Sequence, residues 1–169
     1  MKRNDIPENI GEYVKYDETS RTGLRWIKLF GNGGNVSVGT ETGCLNSRDY
    51  YNFEFNYNSY LNHRVIFFLH NGYCPDVVDH SDGHKQNNKI ENLRKCTQSQ
   101  NCHNQKIRKN NSSGVKGIST HGNQWKLKIT LNYKEHIQYL NKREYTLEQA
   151  KEIIELARAK LHGNFTNHG

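Results

Sequence analysis

Histidine, carboxylate and carboxamide side chains crowd one stretch of this chain. Val78-Asp79-His80-Ser81-Asp82-Gly83 is followed by Asn87-Asn88, by Asn92-Leu93-Arg94, and then by Gln98, Asn101, His103 and Asn104. An unperturbed imidazole titrates near 6.5, so it can take a proton at neutral pH. Oxygen donors suit a hard divalent ion such as Mg²⁺ or Mn²⁺ better than zinc. A base to deprotonate water and a cation to stabilise developing negative charge are together the requirements of metal-assisted hydrolysis. Taken alone, Asp79-His80 reads as a turn-forming pair at a strand end. The ordered set is what points to chemistry.

The elements that must hold these residues are short. Residues 12 to 60 are rich in Gly, Asn, Tyr and Thr, and the runs Trp26-Ile-Lys-Leu-Phe30, Asn35-Val-Ser-Val38 and Tyr51-Asn-Phe-Glu-Phe-Asn-Tyr57 predict strands and hairpins. His63 to Asn71 is more continuously apolar and predicts a short buried helix closed by Gly72 and Pro75. Val77 to His80 predicts a strand that ends in the turn Ser81-Asp82-Gly83, and Leu93 to Cys96 a second one. Thr97 is placed to cap a polar helix from about Gln98 to Lys109.

Asn110-Asn-Ser-Ser-Gly114 is a run of turn residues that reads as a linker. Beyond it, Val115 to Thr120, Trp125 to Leu131 and His136 to Leu140 predict three strands. In the second of these Trp125, Leu127, Ile129 and Leu131 share one face, while Lys126, Lys128 and Thr130 share the other. Thr146 and Gln149 form a capping box for a helix whose Leu147, Ala150, Ile153, Ile154, Ala157 and Leu161 recur at helical spacing before Gly163.

The 169 residues carry a formal charge of +7. Such a balance favours a polyanionic partner. No Asp or Glu occurs from Asn92 to Lys134, a stretch that holds Arg94, Lys95, Lys106, Arg108, Lys109, Lys116, Lys126, Lys128 and Lys134. That is the footprint of phosphate binding. Cys44, Cys74, Cys96 and Cys102 form no CxxC pair, which disfavours a structural zinc site, and a reducing compartment would leave them as thiols. Residues 1 to 10 lack the apolar core of a signal peptide, and the longest strictly apolar run, Val65 to Leu69, is too short to span a membrane. The expectation is a cytoplasmic protein with no membrane partner.

The same residues carry a family resemblance. The pattern from Val78 through Asn104, with Tyr16-Asp17-Glu18-Thr19, Gly23-Leu24-Arg25-Trp26 and His63-Arg64 upstream, resembles the HNH endonucleases of the ββα-metal fold. The likeness is greatest to the homing endonucleases common in phages, and it covers roughly residues 12 to 108. It implies His80 as general base, Asp79 and Asn101 as ligands of one Mg or Mn ion, and Asn92 as the residue that pins the loop and orients the histidine. Where the founding motif ends in a second histidine this chain has Asn101. His103 lies two residues on, about 200° around a helix, so the two cannot face one ion. Ser113 to Ser119, Trp125, Ile129, Thr146 to Ala150 and Leu161 to Phe165 resemble the AP-two/ERF DNA-binding domain. That likeness implies that Lys116, Ser119, His121, Lys126, Lys128 and Thr130 face DNA. The usual Leu-Gly after its third strand is absent, which leaves that strand's register open.

The reading is an α+β protein: a β-rich N-terminal arm (1–62) with DNA contacts, an HNH ββα-metal nuclease (63–109), and a three-stranded antiparallel sheet with a helix (114–165). Its function would be metal-dependent cleavage of double-stranded DNA, with Arg94, Lys106, Arg108 and Lys109 adding DNA contacts. It would act inside a bacterial host as a phage protein. Two alternatives stand beside it, a nuclease-inactive DNA-binding regulator and an RNA-binding protein that uses its tyrosines for stacking.

Overall fold

Aromatic and β-branched residues separated by Gly, Asn and Asp turns give short antiparallel strands throughout the first half of the chain. The computed structural model describes residues 5–29, 36–104, 107, 110–131 and 134–166. A 3-10 turn at Glu8–Glu12 leads into β1 (Val14–Tyr16), which pairs with β2 (Leu24–Trp26). β3 (Cys44–Leu45), β4 (Tyr51–Phe55) and β5 (Asn58–Leu61) form a sheet in that order. α1 (Asn62–Asn71) follows at once and ends at Gly72, whose φ of 73° is the left-handed cap glycine allows. β6 (Val77–His80) and β7 (Leu93–Cys96) make a hairpin with Asp79 opposite Arg94 and His80 opposite Leu93. Then come α2 (Gln98–Asn104), β8 (Ile118–His121), β9 (Gln124–Leu131), β10 (Lys134–Asn141) and α3 (Leu147–His162). The class is the α+β class expected.

The chain falls into two compact units, Met1–Cys96 and Thr97–Gly169. The first is built around Ile10, Val14, Leu24, Phe53, Phe55, Val65, Ile66, Val78 and Leu93. The second lays α3 on the sheet of β8, β9 and β10 and buries Ile118, Leu127, Ile129, Leu140, Ala150 and Ile154. Thr146 caps α3 with the reciprocal Gln149 bonds that its sequence predicts. Thr97 and Gln100 make the same exchange at α2, Gln100 N donating to Thr97 Oγ1 at 3.2 Å and Thr97 N to Gln100 Oε1 at 2.8 Å. The register of β10, open in the sequence, sets Leu140 opposite Trp125 and Tyr139 opposite Lys126.

Three expectations need correction. Val36-Ser37-Val38 is not a strand: Thr40 folds back on Ser37 through both its N–H and its hydroxyl, and Val36 and Val38 stay exposed. β2 stops at Trp26, after which the N–H groups of Ile27 and Lys28 both turn to Tyr13 O. β8 starts at Ile118 and not at Val115, because Gly117 sits at φ 75° in a turn. A Cβ there would lie 2.7 Å from Lys128 O and 2.8 Å from Ile154 Cδ1. Of the helix expected to run to Lys109, α2 reaches Asn104, and residues 105, 106, 108 and 109 lie outside the described residues.

At the start of α1 two polar side chains enter the first core. Asn62 is fully buried and donates through Nδ2 to Thr22 O and Thr42 O. His63 is 5% exposed, and its Nδ1 has no hydrogen-bond partner among the described residues. Burial, reinforced by the charges of His80 and Arg64, holds the His63 pKa well below the usual 6.5. The unfolded chain therefore binds a proton near pH 6.5 that the folded state refuses, so stability falls as pH drops below that value. His63 alone should remove up to about 1.4 kcal/mol per pH unit on the acid side. A fall in melting temperature between about pH 7.5 and pH 5.5, made shallower by His63→Phe, is the expected result in thermal melts. An identical pH dependence in that variant would show that His63 does not titrate as described.

Candidate active site

The loop that joins β6 to β7 is held shut from inside by one side chain. Asn92 Oδ1 accepts from Ser81 Oγ at 2.8 Å and from Asp82 N at 3.1 Å, while its Nδ2 donates to Asp82 Oδ1 at 3.0 Å and Asn87 O at 2.8 Å. All four bonds of the carboxamide are spent on one loop. Ser81 N also donates to Asn92 O at 2.8 Å, which continues the hairpin ladder past His80. Asp82 closes the turn by accepting from His84 N at 2.8 Å and Asn87 Nδ2 at 2.7 Å. Burial raises its pKa, but the bonds from Asn87, His84 N–H and Asn92 outweigh that and hold it below the usual carboxylate value.

His80 ends β6 and is 4% exposed. Its Nε2 lies 3.1 Å from Asn88 Oδ1, and Asn88 Nδ2 donates to Thr22 O at 2.9 Å. Because the Asn88 amide nitrogen is committed to a carbonyl, its oxygen must accept, so Nε2 of His80 carries the hydrogen and Nδ1 keeps the lone pair. The ring packs at 4.8 Å from that of His63 and 5.9 Å from that of Tyr50, and Tyr50 and His63 are themselves 5.2 Å apart. Burial lowers the His80 pKa, and the Asn88 bond with the Asp82 and Asp79 charges only partly restores it. The imidazole is a neutral proton acceptor at neutral pH.

Asp79 is buried, and its Oδ2 accepts from Arg94 Nε at 3.0 Å and Nη2 at 2.9 Å. This cross-strand ion pair engages Arg94, one of the expected DNA contacts. Asn101 lies half-buried on α2, in the second unit. Among the described residues no group of three or more His, Cys, Asp or Glu side chains is placed to hold a metal ion. The carboxylate of Asp79 offers the oxygen donors that suit a hard ion such as Mg²⁺, which completes its shell with waters and substrate phosphates.

The other expected DNA contacts lie in the second unit. Alternation puts Ser119, His121, Lys126, Lys128 and Thr130 on the face of the β8-β9-β10 sheet opposite Leu127 and Ile129. His121 packs 5.5 Å from Tyr139, and Lys128 is ion-paired with Glu135. Lys116 lies in the turn before β8 and is half-buried. Burial and the Arg158 guanidinium lower its pKa to about 8, and Arg158 Nη2 donates to its carbonyl at 2.6 Å. Lys106, Arg108 and Lys109 fall outside the described residues. Sequence reasoning gave no role to Tyr50, His63 or Asn88. His63 and Asn88 stood within the motif, whereas nothing in sequence marks Tyr50, which reaches His80 only through the fold.

No helix among the described residues is long and apolar enough to cross a membrane. No solved structure shows a significant match to this chain. A family model described as HNH endonuclease matches residues 60–103, which span α1, the β6–β7 hairpin and most of α2. Protein 3.8 of Escherichia phage T7 is 32% identical over 113 residues, an alignment that covers 64% of this chain and 90% of the relative. The hairpin that delivers the buried histidine lies inside the segment matched by that model, so residues 60–103 carry an HNH endonuclease domain, and the chain belongs to the family of Protein 3.8 of phage T7.

Proposed function

We propose that the chain hydrolyses phosphodiester bonds in duplex DNA, with His80 as general base. The observation that supports this most is the buried His80 ring at the end of β6, held through Nε2 by Asn88. In this reading His80 Nδ1 takes the proton of the attacking water while Nε2–H stays donated to Asn88. Asn92 keeps the loop from shifting that ring. Asp79 and Asn101 would hold one Mg²⁺ or Mn²⁺, which when bound supplies Lewis-acid stabilisation of charge on the phosphate and the leaving oxygen. Arg94 donates to Oδ2 of Asp79 from the adjoining strand and so orients the carboxylate. Residues 63–109 then form the nuclease, residues 1–62 a DNA-contacting arm, and residues 114–165 an AP-two/ERF-like module that lays its open sheet face on DNA. The T7 relative favours a phage protein acting in a bacterial cytoplasm.

His80→Ala should lower cleavage of supercoiled plasmid by roughly 10² to 10⁴ while DNA affinity stays near wild type. EDTA should stop wild-type cleavage and Mg²⁺ or Mn²⁺ restore it, with the metal requirement weakened in Asp79→Ala and Asn101→Ala. Near wild-type cutting by His80→Ala, or cutting in chelator, would defeat the assignment.

The sheet face yields a test of opposite signs. Lys126→Ala should lower the slope of log affinity against log salt by about one. Glu135→Gln, which frees Lys128 and removes an acid from the same face, should instead tighten binding at low salt. If neither variant moves affinity, the sheet does not touch DNA.

A further inference from the structure

The first unit carries a groove of about 650 Å³ whose polar lining is Asn46, Ser47, Arg48, Asn52, Ser59 and Arg64, with no acidic residue among its lining. Glu54 faces the same way as Asn52 further along β4 but lies outside that lining. The turn that presents Arg48 is closed by Asn46, whose Oδ1 accepts from Arg48 N at 2.9 Å and Tyr50 N at 3.2 Å. Arg64 is steadied by its Nη1 bond to Asp76 O at 2.9 Å. Both arginines lead to the histidine pair. Arg64 adjoins His63 in sequence, and Tyr50, two residues after Arg48, packs on both His63 and His80. Lys85 binds this corner together, its Nζ donating to Arg48 O at 2.9 Å and lying 5.0 Å from the Tyr50 ring centroid. An open, acid-free groove with two guanidinium groups, that of Arg64 anchored on Asp76 O, and neutral hydrogen-bonding side chains matches a phosphodiester backbone: the arginines offer planar forks to phosphate oxygens, and the amides and hydroxyls suit sugar and phosphate.

We propose that this groove, between the Asn46–Tyr50 turn, β5 and the start of α1, seats the phosphate backbone of the DNA strand adjoining His80. The proposal rests on the nuclease reading, and it is tested by binding alone. Full-length wild type, Arg48→Ala, and Arg48→Ala with Arg64→Ala are titrated onto duplex DNA in EDTA across a salt series, and cleavage with Mg²⁺ is measured separately. The double variant should lower the salt slope by up to about two and weaken binding alike across DNA sequences. Arg48→Ala, which breaks no side-chain bond described here, should lower it by about one. Lys15→Ala serves as a charge-matched control. Slopes that drop no further than the control's overturn the proposal even if wild type cuts DNA. Reduced slopes in a wild type that fails to cut leave the groove standing and remove the nuclease reading.

A second observation stands apart from the groove. The β4–β5 hairpin turns through Asn56 and Tyr57, both left-handed at φ 49° and φ 60°, and Tyr57 is 98% exposed. Two-residue hairpins of this type favour Asn-Gly, because glycine accepts positive φ without strain. Tyrosine here meets that strain and buries nothing within the fold. We infer that Tyr57 stacks on an unpaired base of bound DNA, a contact available to any base. Tyr57→Gly should raise the melting temperature by about a few degrees yet weaken affinity for single-stranded DNA by roughly tenfold. Tyr57→Trp should keep the affinity. A Tyr57→Gly protein with wild-type affinity would overturn the inference whatever its stability.

Discussion

The carbonyl oxygen of Thr22, in a residue with no exposed surface, accepts from Asn62 Nδ2 at 3.2 Å and from Asn88 Nδ2 at 2.9 Å. Asn62 opens α1, and Asn88 holds His80. One acceptor near the N-terminus thus ties the long helix of the first unit to the loop that orients the candidate base. In a buried setting each bond lost would strand a polar group, at about 1 to 3 kcal/mol. The turn that offers this carbonyl depends on Gly23, which lies at φ 80°. A Cβ there would come within 2.6 Å of Ile66 Cδ1 and 3.0 Å of Asn88 Cβ. The orientation of His80 is therefore set as much by residues 22 and 23 as by its own hairpin.

Local signals and tertiary ones divide clearly in this chain. α1, the β6–β7 hairpin and the capping box of α3 were legible because each is written within a dozen residues, as an apolar run with a closing glycine, paired strands around a turn, or a Thr-x-x-Gln box. Val36-Ser37-Val38 misled because two valines look like a strand, whereas a strand needs a partner and Thr40 gives these residues a turn instead. At the site, Asp79, His80 and Asn92 were legible as an ordered pattern. Tyr50, Thr22 and the part Asn88 plays were not, because Tyr50 and Asn88 meet His80, and Thr22 meets Asn88 66 residues away, only after the first core has closed.

The net charge follows from composition, whereas the partner of each cation follows from the fold. The acid-free stretch ends at Lys134, and the next residue, Glu135, pairs with Lys128. Arg94, inside that stretch, spends its guanidinium on Asp79 from the adjoining strand. A cation's place in a basic run says little about whether it meets solvent. Strand register decides that, by putting Asp79 opposite Arg94 and leaving Ser119 and Tyr139 on either side of Lys126.

The buried histidine pair has a consequence for how this unit can work. Enclosing His80 beside His63 and Tyr50 keeps both imidazoles neutral, which readies His80 to accept a proton and makes the same core intolerant of acid. A better solvated His80 would spare the fold in acid, but it would be partly protonated nearer neutral pH and have less capacity as a base. Asn88 tempers this opposition: its bond to Nε2 favours the charged ring and draws the pKa part of the way back toward the ordinary range. The distance of His80 from that range is set by the balance between enclosure by the first core and one carboxamide oxygen, itself fixed through Thr22.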